Sequence, residues 1–256
     1  MRPLVAFGGG RVVDVAKAVG SVSGAEVVAI PTTLSGAPMT AIHRLPEGEE
    51  GRARGMVRPA LVIADPEAMT GQPEREMRAS AMNALAHGAD TLYSPLANPV
   101  SEMTALRGAR LIGGALDRER GARDRSALAL GALLCGYAID SAGLGLHHVV
   151  CQTLVRVCGT PHAETNAAIL PPALEFLAER APEPYGSLAA ALGTDLPGLR
   201  MRIEALGRPR RLGGLGGDES RLDEALDAML RRSELERVPG PAVTREDLER
   251  LVQRAW

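Results

Sequence analysis

Residues 3–31 read PLVAFGGGRVVDVAKAVGSVSGAEVVAIP. PLVAF (3–7) and EVVAI (26–30) are short apolar runs rich in β-branched residues, the composition of buried parallel strands. Between them Val12, Val13, Ala16 and Val19 recur at helical spacing, which predicts a helix packed on the sheet and a strand, glycine turn, helix, strand unit. ALVIA (60–64) predicts a third strand. From Pro73 onward the pattern is helical only. A helix is expected around 74–93, and Asn98 before Pro99 supplies an N-cap acceptor followed by proline at the first helical position. The uncharged run Ser126–Ile139 reads as a buried core helix, too short for the ~20 residues of a membrane span. Leu222, Leu226 and Met229 mark another helical stripe, and Thr244 with Asp247 forms a capping arrangement that opens the last helix. RPRRLGGLGGDES (208–220) reads as a solvated loop. The expected organisation is an α/β part over residues 1–70 followed by an all-helical part over 71–256.

Composition narrows the function. The chain has 256 residues, 45% hydrophobic and 23% charged, with a formal net charge of -2, an ordinary globular balance without global attraction for polyanions. Aromatics make up 2%, leaving little on which bases could stack, so nucleic-acid binding is not expected. Three cysteines without a CxxC pair fit reduced thiols and a cytoplasmic setting. Lys17 is the only lysine among 29 Lys+Arg, a bias that reads as GC-rich coding rather than chemistry.

Gly8, Gly9 and Gly10, between strand and helix, have the pattern that offers free N–H groups and a helix dipole to a phosphate, although a tight connection would use the same glycines. Ile30 to Gly36 follows the second strand and puts Thr32, Thr33 and Ser35 at the same sheet edge, where open α/β folds bind ligands. Asn83 and His87, four residues apart, share a helix face. His147, His148 and His162 lie in a second short region, so four of five histidines fall where a helix-lined metal or acid–base site would need them. Cys151, three residues after His148, could complete a zinc site; a buried inert thiol is the simpler reading.

GGGRVVDVAKAVG, AIPTTLSGAPMT, LVIADPEAMTGQP, SAMNALAHGADTLY and GLHHVVCQTL with GTPHAETNAAILPPAL, in this order, resemble the iron-containing alcohol dehydrogenase superfamily and, within it, the maleylacetate reductases. The resemblance covers residues 4–180. It implies a dehydroquinate synthase-like architecture, a partial Rossmann-like cofactor domain followed by a helical domain. It also implies βα units ahead of the glycine turn, so the sheet is expected to be incomplete. The segment that would separate NADH from NADPH lies among those units, and the cofactor is NAD or NADP without distinction.

By the same resemblance Gly8, Gly9 and Gly10 cradle the cofactor pyrophosphate with Asp14 in the following helix, and Thr32 and Thr33 line the cofactor cleft. Asn83, His87, His148 and His162 occupy positions that hold iron or zinc in metal-dependent members. Asparagine replaces an anionic ligand there, which weakens the hold on Fe2+ or Zn2+, and the maleylacetate reductases share this Asn and work without metal. Arg11 replaces a usual serine, Gln152 a common histidine, and Val155 and Arg156 a glycine pair. The expected activity is NAD(P)H-dependent hydride transfer to a small dicarboxylate, with His87, His148 and His162 as donors and Arg156 as a carboxylate contact or a surface arginine. Competing readings are a metal-dependent alcohol dehydrogenase and a truncated, non-catalytic family member. A homodimer with no nucleic-acid or membrane partner is the expected assembly.

Overall fold

The computed structural model describes residues 2–43, 48 and 55–256. Strands β1 (Leu4–Gly8), β2 (Val27–Pro31) and β3 (Leu61–Val62) form a parallel sheet in sequence order, with Val5 beside Val28 and Val28 beside Leu61. Helix α1 (Gly10–Ser23) makes the crossover between β1 and β2. Its buried face is Val13, Lys17, Ala18, Gly20 and Ser21. Val12 and Val19, expected on the inward stripe, are exposed instead. The inward stripe runs instead through Val13, Lys17 and Gly20, at helical spacing.

Helices then follow without further strands among the described residues. They are α2 (Pro66–Met69), α3 (Glu74–Tyr93), α4 (Pro99–Leu116), α5 (Arg125–Ala142), α6 (Leu146–Val157), α7 (His162–Arg180), α8 (Pro182–Ala191), α9 (Leu199–Gly207), α10 (Leu222–Leu230) and α11 (Arg245–Ala255). The expected caps are present: Asn98 and Ser101 form a reciprocal capping box on α4, Thr244 and Asp247 another on α11. These pairings satisfy N–H groups that a helix start leaves without partners. Helix α3 is the hub, packed by α4, α5, α6, α7, α8 and α9. Every residue from Met77 to Tyr93 is buried except Asn83, which is half-buried.

The 208–220 stretch differs from a solvated loop. Its arginines 208, 210 and 211 are exposed, but Leu212 is buried, Gly213 packs against the Trp256 ring, and a Cβ at Gly217 would stand 2.6 Å from Thr160 Cγ2 and 3.0 Å from Trp256. No single helix among the described residues is long and apolar enough to cross a membrane.

Candidate active site

The glycine turn has the form that phosphate recognition needs. Gly8 has φ +154°, in the region that favours glycine. Gly9 is the N-cap of α1; no side chain caps it and no acid stands in the first turn, so the helix's leading N–H groups and Arg11 offer an uncompensated positive end. A Cβ at Gly10 would lie 2.8 Å from Ser35 Oγ, and one at Gly9 would lie 3.0 Å from Thr33 Cγ2. The turn and the hydroxyl loop are therefore in contact, with the buried Oγ atoms of Thr33 and Ser35 unpartnered. Buried hydroxyls normally find a partner, and these two fit a polar cofactor in the cleft. Thr32 is tied back by its N–H to Gly8 O at 2.9 Å. Asp14 turns from the cleft toward Lys17, 2.8 Å from its Nζ.

The loop then crosses to the helices. Leu34 N–H donates to Ser80 Oγ at 3.0 Å, and Ser80, Asn83 and His87 lie along one face of α3 at helical spacing. Gly36 presses on the His87 ring: a Cβ there would be 2.7 Å from Cε1. His87 is joined by His148 of α6, ring centroids 4.6 Å apart and planes within 6°. His147 meets His148 edge-on at 4.9 Å. His162, exposed at the start of α7, has its Nε2 3.5 Å from Asn166 Nδ2.

Asp90 organises the group. Fully buried at the C-terminal end of α3, its carboxylate accepts from the N–H groups of Gly145, His147 and His148 at 3.1, 3.4 and 3.4 Å, and from His148 Nδ1 at 2.7 Å. Tyr93 Oη accepts the Leu146 N–H at 2.6 Å. A carboxylate from one helix thus closes the N-terminus of the next. The Asp90 contact assigns the proton to His148 Nδ1 and leaves the lone pair on Nε2, a buried atom without a partner. Burial pulls His148 down to about 3, with the nearby His162 adding to the effect, and pulls His147 down to about 4; both rings are neutral at ordinary pH. His87 is likewise held well below its ordinary value by burial, and its Nδ1 is unpartnered. Burial pushes Asp90 upward, opposed by the field of His147 and the three backbone donors.

The donors do not fit a divalent ion in this arrangement. Asp90, His147 and His148 place ligand atoms within 4.8 Å of one another, but the carboxylate is committed to four N–H groups. At Asn83 a neutral amide stands in place of an anion. Imidazole ligates in its ring plane, and the nearly parallel, stacked rings of His87 and His148 cannot both hold one ion in plane.

One expectation needs correction, and one alternative is resolved. Arg156 is exposed in the last turn of α6, two turns and about 12 Å of helical rise beyond His148, and is not brought to the histidines. For Cys151 the simpler reading agrees with the structure: it is a buried thiol beside His147, its Sγ 3.4 Å from His147 Nε2, and burial pushes it far above the ordinary value. Asp90 shares a helix face with His87, three residues before it, but its partners lie 55 to 58 residues away, and Ser80 and Gly36 carry no local signal either.

The chain matches known proteins along its whole length. Residues 77–256 match the "Fe-containing alcohol dehydrogenase family, C-terminal" profile and residues 1–73 the "Iron-containing alcohol dehydrogenase" profile. It is 38% identical to maleylacetate reductase of Burkholderia cepacia over 80% of this chain and 63% of that protein. It is 36% identical to maleylacetate reductase 1 of Rhodococcus opacus over 99% and 72%. The crystal structure of maleylacetate reductase from Agrobacterium tumefaciens superposes with a TM-score of 0.87 at 33% identity, covering 99% of this chain and 74% of that one. The chain thus spans between three fifths and three quarters of the length of these relatives. With both profiles matched in order and a relative 36% identical over nearly the whole chain, the chain belongs to the iron-containing alcohol dehydrogenase family.

Proposed function

We propose that this protein is a nicotinamide-dependent oxidoreductase that reduces a small dicarboxylate of the maleylacetate kind. One observation carries the reading: an uncapped glycine turn with unpartnered hydroxyls abuts, through Gly36, a buried imidazole cluster with unpartnered nitrogens. A bound NADH or NADPH would supply the hydride, two electrons and one hydrogen, to the activated double bond or carbonyl. The backbone of Gly8, Gly9 and Gly10 would hold the pyrophosphate, and Thr32 and Thr33 would line the cleft. A proton must also reach the substrate to balance the transfer.

The histidines divide that task by their bonding. His148, with its Nδ1–H given to Asp90, would present the lone pair of its unpartnered Nε2 to a substrate hydroxyl or proton, an acceptor's role beside the donor's role expected of it. His87, neutral with a free Nδ1, is suited to donate an N–H to developing negative charge without becoming an imidazolium. His162, exposed and next to the buried pair, connects the cluster to solvent as a proton route. Asn83, open to the cleft, adds an amide that both donates and accepts.

Replacing His148 by Ala is expected to lower kcat by roughly 100-fold or more while the cofactor Kd, read by NADH and NADPH fluorescence titration, stays near that of the parent. Turnover unchanged in the variant defeats the assignment. A metal-dependent alcohol dehydrogenase is the second reading: the ligand atoms of Asp90, His147 and His148 lie within 4.8 Å of one another, and an ion would require these side chains to leave the hydrogen-bonded arrangement described above. Stoichiometric iron or zinc with chelator-sensitive turnover supports it; chelator-resistant turnover of maleylacetate supports the first. The three buried free cysteines are consistent with a reducing, cytoplasmic setting. The exposed apolar face of the sheet supports a homodimer, checked by light scattering.

A further inference from the structure

Lys17, the only lysine in the chain, has no exposed surface. An ammonium taken out of water costs several kcal/mol unless protein oxygens replace its hydration. Here they do: Nζ donates to the carbonyls of Ala37, Thr40 and Ile42 at 3.0, 3.1 and 2.7 Å and lies 3.4 Å from Thr40 Oγ1. Asp14 Oδ1 completes the shell at 2.8 Å. Apart from Asp14, every partner belongs to one stretch 20 to 25 residues further along the chain. That stretch has only a single 3-10 turn, Ala37–Met39, of its own, so its course depends on the cation at its centre.

The same stretch lies between the two halves of the proposed site. At its start Ser35 abuts Gly10 of the phosphate turn, and Gly36 abuts both His87 and Gly136 of α5. Further along, Ala41 N–H donates to Asp140 of α5 at 2.6 Å. A Cβ at Gly36 would stand 2.7 Å from His87 Cε1, so the backbone there packs directly against the ring.

We propose that Lys17 is a positioning residue for hydride transfer: by gathering the carbonyls of residues 37, 40 and 42 it sets Ser35 and Gly36, and so the separation between the cofactor turn and His87. The inference rests on the oxidoreductase reading above. Burial lowers the pKa of Lys17, and Asp14 offsets only part of that lowering.

Because there is one lysine, 13Cε-lysine labelling gives one NMR signal that reports this position in the unaltered protein. NADH and NADPH are titrated into one labelled sample and followed by both fluorescence and that signal. The expected result is a Lys17 signal that moves with the midpoint of the fluorescence curve. Saturable fluorescence with a motionless Lys17 signal overturns the inference and leaves the oxidoreductase reading standing. Absence of saturable binding overturns both.

The variants Lys17→Met and Lys17→Arg give the second arm. Misplacement of reacting groups by about an ångström costs on the order of 100-fold, so folded Lys17→Met is expected to lose roughly 30- to 100-fold in kcat with the cofactor Kd changed by less than about threefold. Lys17→Arg, which keeps the charge, is expected to recover part of that loss. A lowered Tm with unchanged kcat per folded molecule would reduce Lys17 to a structural role. If Lys17→Met does not fold, the titration of the parent protein decides.

Discussion

The helical bundle and the three-stranded sheet are packed to different standards. In the bundle, α3 is surrounded by six helices and the apolar core is continuous from Leu34 to Ala255. Among the described residues, the contiguous buried apolar cluster under the sheet is Ala6, Val13 and Ala29 alone. Its other face carries Val5 and Phe7, 62% and 67% exposed, in register with half-buried Val28 and Ile30 and followed by exposed Leu61 and Ile63. Parallel sheets are ordinarily covered on both faces. The proposed site lies on the seam between a stiff wall that holds the histidines and a softer one that holds the phosphate turn. Local opening is easiest where few apolar contacts must break, and a ligand that binds only the closed seam consolidates the softer wall.

The largest test of that contrast is a cavity in the bundle. Ile112 of α4 is fully buried, and its Cγ1 is so close to Gly131 that a Cβ on the glycine would stand 2.9 Å away. Ile112→Ala should cost about 3–4 kcal/mol, read as a shift in the urea midpoint. A loss below about 1 kcal/mol would mean that the bundle relaxes as readily as the sheet.

The contrast extends to charge. Glu74, in the first turn of α3, accepts from Arg123 at 2.7 and 2.9 Å and from Arg78 at 2.7 Å, while Arg78 also donates to Leu206 O. Arg123, opposed by partial burial and helped by Arg78, brings the Glu74 carboxyl down to about 2. Its folded value lies below its unfolded value of 4.5. The stabilisation is therefore present above pH ~4.5 and is lost as pH falls toward ~2. Glu74→Gln should remove about 2 kcal/mol at neutral pH and flatten the acid limb of the stability profile. An unchanged acid limb would place the acid sensitivity elsewhere.

The two regions also differ in how much of them could be read from sequence. Caps are local: Asn98 with Pro99, and Thr244 with Asp247, carry their partners within three residues, and both stand where expected. Strand positions were legible from β-branched runs, although β3 keeps only Leu61 and Val62. The inward face of α1 was not, because the oxygens that allow Lys17 to be buried lie 20 to 25 residues away. At the site, Asn83 and His87 were legible as a helix pair. The resemblance, rather than any spacing, connected them to His148 and His162. Asp90 acts across 55 to 58 residues on the start of α6, a relation that no local pattern contains. The charge of Arg156 was legible, but its direction was not.

The smallest expected effect falls on the sheet. Phe7 is exposed on the uncovered face, so little apolar surface is returned to water when it is replaced. Phe7→Ser should change the unfolding free energy by less than about 0.5 kcal/mol, against the larger loss at Ile112. If the face is covered in solution by a second copy, the same substitution acts on association instead. The urea midpoint would then depend on protein concentration in the parent and lose that dependence in the variant. A large, concentration-independent loss would show that Phe7 is held by contacts within the chain, and the contrast between the two regions would have to be redrawn.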